Sequence, residues 1–135
     1  MPDFTRERLN RARTQLESAK RNLAEGDLET ASNQAFLAAE NAAAAAIAKA
    51  GGHVPPVHRQ IRSRFEDLCD RGIIPYRFRN MLIELYRFRP RGDYGRRFHE
   101  GEKTPELKLE VVQDAIAQAS DLIASVEGIT RKKKP

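Results

Sequence analysis

Cysteine is nearly absent from the chain. The single Cys69 excludes an intrachain disulfide, and no Cys/His spacing suggests a zinc site. Cys69 falls within a helical pattern, where a reduced structural thiol is expected. No apolar run approaches the roughly 20 residues needed to cross a bilayer. The opening Met1-Pro2-Asp3-Phe4-Thr5-Arg6 also lacks the pattern of a secretory signal. A cytoplasmic protein without membrane, metal or cofactor is therefore expected. Strand-type alternation and internal repeats are missing too, which leaves an all-α architecture.

Acidic residues are outnumbered. Against 19 Asp and Glu stand 24 Lys and Arg, a formal net charge of +5, and 17 of the 24 are arginine. The planar, bidentate guanidinium suits phosphate better than a lysine point charge, which points to a nucleic-acid or nucleotide partner. A compositional bias that raises arginine and alanine together accounts for the same counts. At 135 residues the chain is long enough to bury one core unaided. We expect one domain over residues 1–128 and a disordered basic tail over 129–135.

Apolar spacing predicts an antiparallel bundle of about five helices. The first, over 5–25, carries Leu9, Ala12, Leu16, Ala19 and Leu23 on one face, leaving Arg6, Arg8, Arg11, Arg13 and Arg21 as a solvated face. Gly26 stops it, and Asp27 caps the second helix, over 28–50. That helix is alanine-rich on more than one side, as a central packing element requires. Glu40 and Asn41 interrupt its small-residue surface, either as exposed positions or as buried polar groups beside Arg89. After Gly51-Gly52-His53-Val54-Pro55-Pro56, a third helix over 57–70 places His58 in its first turn, where a capping or packing role is expected, and Gly72 ends it. The fourth, over 75–89, begins at Pro75 and buries Phe78, Leu82 and Leu85. A fifth, capped by Thr104 and opened by Pro105-Glu106, runs to about Val126, and Gly128 closes it.

The chemistry-bearing groups concentrate between Leu85 and His99. This stretch contains Arg87, Arg89, Arg91, Arg96 and Arg97 with Asp93, Tyr94 and His99, broken by Pro90, Gly92 and Gly95. Arg89 lies four residues past Leu85, so it leaves the apolar face of the fourth helix, and Pro90 ends the helix there. A charge emerging from a core-facing stripe needs a partner or a ligand. Asp93 either pairs Arg89 or a neighbouring arginine, with Tyr94 packed beneath it, or takes part in chemistry. His99 is either a surface histidine or a proton carrier.

Three segments in this order resemble the HEPN family of all-helical domains. They are Ala31 to Ala43 with its acidic Glu40, Pro55-Pro56-Val57-His58-Arg59-Gln60-Ile61, and Arg89-Pro90-Arg91-Gly92-Asp93-Tyr94-Gly95. The resemblance covers roughly residues 8–126. It implies a homodimer and, in catalytic members, a metal-independent ribonuclease built on an arginine followed by a histidine after four to six residues. Here four residues after Arg89 lead to Tyr94, and the nearest downstream histidine, His99, is ten positions on. An unperturbed tyrosine, with a pKa of about 10, is a poor general base near neutral pH.

The first expected function is a dimeric RNA- or nucleotide-binding module, part of a toxin–antitoxin or defence-type system as the resemblance implies. Its phosphate contacts are Arg87, Arg89, Arg91, Arg96 and Arg97, with Glu40, Asn41, His58 and Asp93 in support. The alternative implied by the resemblance is an endoribonuclease toxin paired with a nucleotidyltransferase antitoxin, with Arg89 and Tyr94 or His99 as catalytic groups. A protein-interaction or assembly module is the third.

Overall fold

Two short pieces of punctuation place the first half of the molecule. Helix α1 (Phe4–Ala24) stops at Gly26, whose φ of 82° is a left-handed conformation that side chains with a Cβ disfavour. Asp27 then accepts a hydrogen bond from the Thr30 backbone N–H at 3.1 Å and caps α2 (Leu28–Lys49). That bond holds the Asp27 carboxyl below its ordinary pKa. With three residues between them, α1 and α2 fold back on one another as an antiparallel pair.

The computed structural model describes residues 4–55, 58–87 and 107–132. Beyond the first pair come α3 (His58–Asp70), a 3₁₀ turn (Tyr76–Phe78), α4 (Met81–Tyr86) and α5 (Leu109–Lys132). No strand occurs among the described residues. The predicted all-α bundle is thus observed.

Helix α2 is the hub. It packs on α1, α5, α3 and α4. Asn41 through Ile47 are buried without interruption, so no side of this stretch reaches water. Alanines at 31, 35, 38, 39, 42, 43 and 45 are fully buried, and their methyl groups let neighbouring backbones approach closely. Larger side chains fill the space around them: Phe36, Phe65, Ile74, Leu82, Val112, Leu122 and Val126.

Three expectations require correction. The fourth helix is not continuous from 75 to 89. Pro75 is extended (φ −53°, ψ 134°), the turn over 76–78 closes by i→i+3 bonds from Phe78 N and Arg79 N, and α4 ends at Tyr86. Ion pairs of Arg79 with Asp70 and Glu66 of α3 hold this junction, a tertiary effect outside local propensity. Next, α5 does not open at Pro105-Glu106. Leu107 and Lys108 are non-helical, and the Lys108 carbonyl accepts the first helical bond, from Val112 N at 3.1 Å. Finally, Gly128 does not close α5, which continues to Lys132. Ile129 packs on the core and Glu127 is ion-paired to Arg13 of α1, which outweighs the roughly 1 kcal/mol helix penalty of glycine.

Candidate nucleic-acid interface

Where α4 ends, aromatic and cationic groups from three helices meet. Tyr86 is half-buried, with its ring edge-on to buried Phe36 of α2 (centroids 5.7 Å apart, planes at 62°). On Tyr86 sits the Arg62 guanidinium of α3, 5.2 Å from the ring centroid. This contact holds Arg62 against the ring while leaving its N–H donors for an incoming oxygen. Arg87 follows Tyr86 and is exposed; Arg59, one turn before Arg62 on α3, is exposed as well. Among the described residues, neither Arg59 nor Arg87 has an ion-pair partner.

The contrast with nearby arginines is informative. Arg71 pairs with Asp67, Arg77 with Asp121, and Arg79 with Asp70 and Glu66. Hydrogen bonding to Asp70 raises the Arg79 pKa further. Positive charge is therefore paired at Arg71, Arg77 and Arg79, and among the described residues it stays unpaired at Arg64, midway along α3, and at the Arg59–Arg62–Arg87 end. Chemically, this end offers planar donors beside an aromatic ring, a set suited to phosphate and a stacked base.

A second polar cluster joins α1 to α2. Arg8 Nη1 donates to Asn41 Oδ1 at 2.7 Å, and Asn41 Nδ2 donates to Gln15 Oε1 at 2.6 Å. The Arg8 guanidinium also lies 4.9 Å from the Phe4 ring centroid. Burial, then the charge of Arg11, pull the Arg8 pKa down, and the negative charge of Glu40 opposes them. Arg8 is thus not part of a solvated face. Asn41 is 8% exposed, with both ends of its amide committed to the interhelical clamp.

The remaining expected site residues fall as follows. Arg87 is on the exposed rim just described. Glu40 is half-buried, within electrostatic reach of Arg8. His58 opens α3. Arg89, Arg91, Asp93, Tyr94, Arg96, Arg97 and His99 lie outside the described residues, as does any pairing of Glu40 with Arg89.

Sequence reasoning missed Arg59, Arg62 and Tyr86 as site members, and Arg8 and Gln15 as clamp residues. Arg8 carried a signal: it precedes buried Ala12 by four residues and Gln15 by seven, at the edge of the apolar stripe. Tyr86 and Arg62 carried none, since only tertiary packing brings them together.

Among the described residues no helix is long and apolar enough to cross a membrane. No curated protein matches the chain. The HEPN domain family does match, over residues 5–129, nearly the whole length. An all-helical bundle with an alanine-lined central helix, matched to that family almost end to end, belongs to the HEPN domain family.

Proposed function

We propose that this protein is a dimeric HEPN-domain module that binds RNA or a nucleotide through arginine contacts to phosphate. One observation carries the reading. Arg62, on the Tyr86 ring, and exposed Arg59 and Arg87 have no ion-pair partner among the described residues, and the arginine-rich stretch from Arg87 to Arg97 begins there. Arg89, Arg91, Arg96 and Arg97 extend the phosphate contacts in this reading, and Asp93 orders them.

Fluorescence anisotropy with a labelled single-stranded RNA, repeated across a NaCl series, tests it. Each phosphate contact to a single strand contributes about −0.7 to the slope of log K against log salt. Arg62→Ala and Arg87→Ala should each flatten that slope by about this amount. Competition with ATP separates a nucleotide site from an RNA site. A salt-independent complex, or slopes untouched by both variants, overturns the proposal. Light scattering on the same protein tests the dimer.

Family membership supports a second reading, a metal-independent endoribonuclease toxin countered by a nucleotidyltransferase antitoxin. In it Arg89 holds the scissile phosphate, and Tyr94 or His99 moves protons as the 2′-hydroxyl attacks. Incubation with mixed RNA in EDTA decides: cleavage lost in Arg89→Ala supports the enzyme, and intact RNA refutes it.

A further inference from the structure

The side of α4 that faces α5 carries acidic groups. Between α4 and α5 runs a groove of about 330 Å³ whose floor is Leu85, Val111 and Ala115 and whose rim carries Glu84, Glu110 and Asp114. Among the described residues Glu84 and Glu110 have no ion-pair partner, and Asp114 accepts only from the neutral Gln118 amide, at 2.5 Å. The carboxylates do not gather as a cation site: no group of three His, Cys, Asp or Glu that could hold a metal ion occurs among the described residues.

Apolar surface continues beyond the groove. Ile83 is exposed on the outward side of α4 next to Glu84, and Leu109, 51% exposed, precedes Glu110 at the start of α5. On a chain with a net charge of +5, the lining of this trough is acidic over an apolar floor, with exposed Arg87 and Lys108 just outside it. Such a rim repels a polyanion. It suits an apolar side chain flanked by cations, the pattern of an amphipathic basic helix in a groove.

We infer that the α4–α5 groove docks an amphipathic helix from a partner protein, with leucine-like side chains on Leu85, Val111 and Ala115 and lysine or arginine against Glu84, Glu110 and Asp114. From Glu110 to Gln118 the groove follows α5 for about 12 Å, enough for two turns of such a helix. The assignment is made from the groove residues and does not depend on the RNA reading, whose Arg87 lies one helical turn past Glu84.

The probe is a fluorescein-labelled 18-residue leucine–lysine amphipathic peptide, with a leucine–glutamate peptide of the same pattern as control. Expected are saturable binding of the lysine peptide only, amide shifts confined to residues 83–85 and 109–118, and at least about tenfold weaker binding by Glu84→Lys/Asp114→Lys. Val111→Asp, which removes apolar floor while keeping the rim, should weaken binding as well. The substituted positions Glu84, Val111 and Asp114 are at least partly exposed, and circular dichroism confirms that each variant folds. Absence of binding overturns the inference, as does binding unchanged by rim reversal or shifts that map elsewhere. Groove shifts produced by RNA, or by raising protein concentration without peptide, also overturn it, assigning the groove to nucleic acid or to a second copy.

Discussion

Replacing Asn41 by leucine tests whether the α1–α2 clamp is a true coupled unit. The substitution is close to isosteric and removes two hydrogen bonds, one to a guanidinium and one to a neutral amide. Losing the charged one costs about 2 kcal/mol, since half-buried Arg8 is partly re-solvated, and losing the neutral one about 1 kcal/mol. Burying leucine where the asparagine is 8% exposed returns about 1 kcal/mol, so the net loss is about 2 kcal/mol. Arg8→Met strands the buried Asn41 carbonyl oxygen instead, at about 1.5 kcal/mol. In the double variant neither stranded group exists, because only half-exposed Gln15 loses a partner and water reaches it. The double variant should therefore lose about 1 kcal/mol, well below the sum of the singles. Urea denaturation of all four proteins measures this, with unchanged m-values certifying a common fold. Single losses that add to within about 0.5 kcal/mol of the double would refute coupling.

Other consequences are equally measurable. Burial, then the charge of Asp70, push the Cys69 thiol from its ordinary pKa near 9 up to about 11. In that window the unfolded thiol ionises while the folded one stays protonated, so stability falls as pH rises from about 9 to about 11. Urea curves at pH 8, 9, 10 and 11 should show a steeper loss in wild type than in Cys69→Ala; parallel losses contradict the assignment. Gly51 has φ 86° with open space where a methyl group would project, so Gly51→Ala should cost about 1 kcal/mol through backbone strain alone, and Gly51→Asn less. Thermal melts rank the two. Ala42→Leu forces three further carbons into a fully buried site between helices and should cost about 1–3 kcal/mol or more; an unchanged melting temperature would show unsuspected space there. Tyr86→Leu removes the ring that positions Arg62 and should weaken RNA binding in the anisotropy assay beyond its effect on stability, of about 1 kcal/mol.

Which features were legible follows from how local their causes are. The ends of α1 and α2 rest on Gly26, Asp27 and Gly51, whose effects reach no more than a turn, and those ends agree with expectation to within a residue. The stripe Phe78, Leu82, Leu85 was also correctly read as buried. The break between them was not, because Arg79 answers to Asp70 and Glu66 on another helix. The same distinction governs the site. Arg87 stands out by its arginine-rich neighbourhood, whereas Arg62 and Tyr86 are 24 positions apart and meet only across α3 and α4. Arg8 was misread because charge alone suggested solvent, while its spacing from Ala12 placed it at the buried edge.

The alanine-walled α2 also bears on how the chain is made. Its hairpin with α1 is complete once Lys49 has emerged, but the α5 side of α2 stays uncovered until synthesis passes Leu109 and nears Lys132. At 5–20 residues per second that wait is on the order of ten seconds. A leucine-rich wall left bare for so long would invite association between nascent chains. Methyl groups expose far less apolar area per residue, and alanine's helix propensity keeps α2 wound meanwhile. The residues that allow close packing in the finished bundle thus also keep its unfinished half soluble.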